Sequence, residues 1–166
     1  MTAIAQKRSH PVLAAALSAL AVGTLGAITT ELGEWYDRLR KPALQPPDWV
    51  FGPAWTLIFA LAALAGVMYW RQREDRDDRQ RVLAAFAINA FLNTLWSLLF
   101  FRIQRPDCAL DEVGFLWLSI LVLIILLRRG SRRAGWLLVP YLAWVTFAAF
   151  LNWGIVALNA PFTGRG

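Results

Sequence analysis

The chain has 166 residues, of which 58% are hydrophobic and nine are tryptophan; its mean hydropathy is +0.46 and its formal net charge is +6. That balance excludes an ordinary soluble domain and places the chain in a bilayer. Its basic residues cluster in short loops between apolar runs, so they mark membrane orientation and not nucleic-acid binding; the single Cys108 excludes an internal disulfide, and the single His10 leaves no Cys/His cluster for a metal.

Residues 1–11 form a polar tail with Lys7, Arg8 and His10, and 12–30 is an apolar run long enough to cross a bilayer. A cleaved signal peptide competes with that reading, but the run exceeds the usual apolar core of one. Ala15, Ala19, Gly23 and Ala27 recur every four residues. Such a small-residue stripe suits close contact with a neighbouring helix or with a second copy of the chain. The stretch 31–49 then packs aromatics, prolines and charges together. Pro42, Pro46 and Pro47 forbid a regular helix before Asp48. We expect an ordered loop lying as a lid on a bundle, with Trp35, Tyr36 and Trp49 at the membrane–water interface.

Residues 50–70 make the second span, entered through Phe51, Gly52 and Pro53. The run RQREDRDDRQR at 71–81 reads as a hydrophilic turn. In the third span, 82–101, Asn89, Asn93, Trp96 and Phe100 follow at spacings of four, three and four, which puts two amides and two aromatics on one helix face. Amides in hydrocarbon need partners, so this face looks into the bundle and serves either packing or a ligand.

The fourth span, 108–127, carries Asp111 and Glu112 near its start, where the helix dipole favours a carboxylate. Both read as peripheral, and capping and anchoring outweigh a proton relay. The rest of that span is the most uniformly apolar and is expected to face lipid over much of its surface. After Arg128, Arg129, Arg132 and Arg133 comes the fifth span, 134–158, with Pro140 inside it as an expected kink and Trp144, Ala148 and Asn152 at four-residue steps beyond. The result is a single all-α domain, an integral membrane bundle of five transmembrane helices. Eleven Lys and Arg on the N-terminal side against six on the other put the N-terminus in the cytoplasm and the lid outside, for an inner membrane.

The stretches WYDRLRKPALQPPDWVFGPAW, NAFLNTLWSLLFF and VPYLAWVTFAAFLN together resemble the translocator protein family, also called tryptophan-rich sensory proteins or peripheral-type benzodiazepine receptors (TspO/MBR). The resemblance runs from about Leu32 to Asn159. It implies a five-helix bundle whose cavity, closed by the first loop, binds porphyrins and drug-like hydrophobic ligands. Carried over residue by residue, the pocket falls on Tyr36, Trp55, Phe59, Asn89, Asn93, Trp96, Trp144 and Ala148; Phe100 joins them from the face analysis. The family also implies dimers and, for some bacterial members, light-dependent porphyrin degradation through two tryptophans that match Trp55 and Trp144. Animal members carry a cholesterol pattern with Tyr and Arg after the Leu-Asn of the fifth helix. Here Leu151 and Asn152 are followed by Trp153, Gly154 and Ile155, so sterol binding is not carried over.

Three function classes follow. A tetrapyrrole-binding transport or sensing protein, with porphyrin as ligand and no resident cofactor or metal, fits an aromatic wall with a few convergent amides. An enzyme would have to act by redox or photochemistry through tryptophan, because the spans hold no conventional base and nucleophile pair. A purely structural or regulatory membrane partner needs no ligand at all. For Trp35, Trp49, Trp70 and Trp136, near span ends, interfacial anchoring is the sufficient reading.

Overall fold

Backbone polar groups inside hydrocarbon must be satisfied within their own segment, which leaves apolar runs the helix as their conformation. The computed structural model describes residues 33–162. Its elements are α1 (Glu34–Arg38), a 3-10 turn at Asp48–Val50, α2 (Phe51–Gln72), α3 (Arg76–Ser97) running on as a π-helical turn at Leu98–Arg102, α4 (Pro106–Gly130), α5 (Arg132–Trp136) and α6 (Val139–Asn159). Four segments are long and apolar enough to cross a membrane: Asp48–Gln72, Arg76–Arg102, Pro106–Gly130 and Arg132–Asn159. The fifth expected span, 12–30, and its small-residue stripe lie outside the described residues.

Several boundaries differ from the sequence expectation. The charged run 71–81 is mostly helical, and only 73–75 lie between α2 and α3. Asp75 caps α3 by accepting the Asp78 N–H at 2.8 Å, so the negative charge sits where the helix N-terminus favours it. Arg79 lies over the Trp70 ring, 4.6 Å from its centroid, and donates to the Trp70 carbonyl at 2.8 Å. Helix α1 falls inside the lid. It ends at Arg38, upstream of Pro42, so the prolines restrict only the second half of the loop. Pro140 is no interior kink: the last span breaks at 137–138 and Pro140 sits in the first turn of α6, where its missing N–H costs no helix bond. Pro106 opens α4 in the same way, after Gln104 turns the chain with a left-handed φ of 60°.

Helix α4 is central, packed along α3 on one side and α6 on the other, while α2 touches α4, α5 and α6. The expectation that this helix faces lipid over much of its surface holds for one side of it. Phe115, Leu118, Val122 and Ile125 do face outward, but Val113, Leu116, Ile120, Leu123 and Leu127 on the opposite side form the core with Tyr69, Val82, Leu138, Tyr141 and Val145. Trp117 closes the seam between α4 and α6 by donating to Thr146 Oγ1 at 2.9 Å.

Candidate functional site

The lid is held by its own side chains and by α6. Tyr36 is buried; its hydroxyl accepts from Gln45 Nε2 at 2.6 Å and donates to Asp48 Oδ1 at 3.3 Å, and Lys41 Nζ lies 3.9 Å from the ring centroid. Burial first, and then the negative charge of Asp48, disfavour the phenolate and push the Tyr36 pKa up to about 12. Asn159, the last residue of α6, accepts the Arg40 N–H and donates to the Arg40 carbonyl, both at 2.8 Å. Pro42 rests on Gly154: a Cβ there would come within 2.9 Å of Pro42 Cγ, so only glycine lets the loop sit this close.

Beneath the lid lies an aromatic tier. Tyr36, Phe100, Ala109 and Ile155 form a buried cluster, bordered by Trp35, Leu39, Trp96, Leu99, Phe101 and Phe162. Trp96 stacks on Phe100 with centroids 5.2 Å apart, and Phe101 meets Trp96 edge-on at 6.1 Å and Tyr36 at 5.7 Å. Both rings sit on the π-helical turn at Leu98–Arg102, 4.7 Å apart, and both reach the lid, Phe100 at Trp35 and Phe101 at Tyr36.

The next tier is polar at its centre. Tyr141 of α6 donates to Asn89 Oδ1 and accepts from Asn93 Nδ2, each at 3.2 Å, and Asn89 Nδ2 donates to Ser119 Oγ of α4 at 2.8 Å. The Tyr141 hydroxyl ties α6 to α3, and the Asn89 amide carries the link on to α4. Trp55 of α2 meets the Tyr141 ring edge-on at 6.1 Å and stacks on Phe59 at 5.4 Å; Trp144 meets Phe51 at 5.7 Å. The Trp144 indole N–H is buried and has no hydrogen-bond partner among the described residues.

The structure therefore gathers the residues singled out in the sequence into two tiers. Tyr36 and Phe100 lie in the upper one, Trp55, Phe59, Asn89 and Asn93 around Tyr141 in the lower, and Trp96 packs against both. Trp144 and the half-buried Ala148 continue along α6, although Asn152 on the same stripe does not join them. With its amide oriented to match donors with acceptors, Asn152 serves α4, donating to Pro106 O at 3.0 Å and accepting from Leu110 N at 3.1 Å. Sequence reasoning missed Tyr141, Gln45, Asp48, Ser119 and Asn159. The signal available for Tyr141 was a phenol three residues before Trp144 in an apolar helix, where a hydroxyl needs a partner. Glu112 is a correction: Asp111 is exposed, but Glu112 is only 6% exposed and points into the bundle.

Residues 14–158 match the TspO/MBR family model. The chain belongs to the TspO/MBR family. It is 38% identical over 150 residues to the tryptophan-rich protein TspO of Archaeoglobus fulgidus, covering 89% of this chain and 96% of the relative. It is 40% identical over 146 residues to the protein of the same name from Chlorobaculum tepidum, covering 84% and 90%. The translocator protein of Bos taurus is 32% identical over 135 residues, with 79% of each chain covered. Family membership and the four apolar helices together make this TspO/MBR chain an integral membrane protein.

Proposed function

We propose that this chain binds tetrapyrroles and other flat hydrophobic ligands beneath the lid, in a porphyrin transport, sensing or stress-regulation role. The observation that carries the reading is the lower tier, where Trp55 stacks on Phe59 and meets edge-on the Tyr141 ring, whose hydroxyl holds the amides of Asn89 and Asn93. Flat conjugated macrocycles suit such ring faces, and a few placed polar groups orient them. Tyr36, Trp96, Phe100 and Ala148 extend the surface toward the lid and along α6. Titration of the purified protein with protoporphyrin should quench tryptophan fluorescence saturably. Quenching that rises without saturation and matches that of free tryptophan in the same detergent would remove the reading.

A second reading, light-dependent porphyrin degradation through Trp55 and Trp144, is favoured by the buried Trp144 N–H, which no acceptor among the described residues occupies. Trp144→Phe separates the two, since phenylalanine is much harder to oxidise. A scaffold role leaves near-parental behaviour, whereas a donor role leaves binding and removes the loss of porphyrin under light.

In a bacterial cell membrane the Lys/Arg asymmetry puts the lid outside the cytoplasm; the alternative, an outer membrane, would void that argument. Self-association into a homodimer rests on the Ala15, Ala19, Gly23 and Ala27 stripe in the sequence. Gly23→Leu should lower the oligomeric mass in detergent, and an unchanged mass removes the stripe from that contact.

A further inference from the structure

Charged side chains within membrane helices are costly, face the bundle interior and are ordinarily paired. Glu112 is 6% exposed, and among the described residues neither of its carboxyl oxygens has a hydrogen-bond partner. Its placement is informative. Ala109, Glu112, Leu116 and Ser119 follow at spacings of three, four and three, so they share one face of α4. Ala109 packs under the lid in the Tyr36 cluster, and Ser119 takes the hydrogen bond from Asn89. Glu112 therefore lies between the lid tier and the polar tier. The neighbouring amides are already committed, Asn89 and Asn93 to Tyr141 and Asn152 to the first turn of α4. Among the described residues, no salt bridge reaches Glu112.

We propose that Glu112 is the docking group for a basic nitrogen, so that the site takes flat hydrophobic ligands carrying an amine whose ammonium pairs with its carboxylate. The inference rests on the reading of the two tiers as a ligand site and adds a chemical class to it. A hydrophobic cation brings the opposite charge that the carboxylate lacks, and the pair places no net charge inside the bundle. A neutral amide of the same shape gains only the ring contacts.

The test compares 1-pyrenemethylamine with its N-acetyl amide on the full chain in phosphatidylcholine nanodiscs, read by energy transfer from tryptophan to pyrene. The parent should bind the amine about tenfold or more tighter than the amide, and Glu112→Gln should bring the two affinities together. Equal affinities in the parent, or a preference that survives in Glu112→Gln, overturns the proposal. Should Glu112→Gln lose both probes, Glu112→Asp decides, because it keeps the charge: a retained amine preference supports the assignment and its loss overturns it. Porphyrin titration of the parent is scored separately, so an absence of porphyrin binding counts against the proposed tetrapyrrole role, while the amine-to-amide ratio judges Glu112 alone.

Discussion

Tyr36 links the lid to the bundle through a hydroxyl that must stay protonated to donate to Asp48. Its folded pKa of about 12 lies above the ordinary tyrosine value of 10.0, so the folded state holds the proton more tightly than the unfolded one. The stabilisation is fully present below pH 10 and is lost as pH rises toward 12. Phenolate difference absorbance of the parent against Tyr36→Phe should show one late-titrating group, and a group that titrates at the ordinary value would break the link. Tyr141→Phe removes the hydroxyl that joins Asn89 to Asn93. Interhelical hydrogen bonds in membranes average about 0.6 kcal/mol each, so the variant should lose roughly 1 kcal/mol in a reversible unfolding assay and keep its helicity. At this scale the sequence was legible wherever burial forced a polar group to find a partner, as with Asn89 and Asn93. Glu112 was not legible, because nearness to a helix start reads as nearness to water, while the phase of α4 turns its side chain inward.

At the scale of elements, the spans in the described region were readable from apolar run length, but their ends were not. Capping by Asp75 and the proline starts of α4 and α6 are local devices that let helix continue into charged sequence or stop within an apolar run. The π-helical turn was invisible too, since an α-helical period already accounted for Phe100 and gave no reason to turn Phe101 inward. The lid yields two predictions. Gly154→Val adds bulk where Pro42 leaves none, so it should lift the loop and weaken ligand binding while circular dichroism stays parental. Asn159→Ala removes both bonds to the Arg40 backbone, each worth about 0.5–1.5 kcal/mol net, and should speed ligand release more than it slows entry. Stopped-flow dissociation measures it, and an unchanged off-rate would mean that the clasp does not hold the lid.

For the whole molecule, the all-helical architecture followed from composition alone, whereas the central place of α4 did not, because uniform greasiness cannot say which side meets lipid and which meets protein. Orientation remains a matter of charge. Arg132 is exposed at the start of α5, so Arg132→Cys in a Cys108→Ser background should resist an impermeant thiol reagent in intact cells and react after lysis. Labelling in intact cells would invert the assignment.

The Arg40–Asn159 clasp spans 119 positions of chain, and Pro42 finds its seat at Gly154. During synthesis the lid leaves the ribosome long before the helix that receives it. Chains grow from the N-terminus, so the loop must wait, undocked, while the later spans are inserted. A nascent chain that stalls before Gly154 has neither the seat for Pro42 nor the Asn159 clasp, so the lid can dock only once the final helix is made.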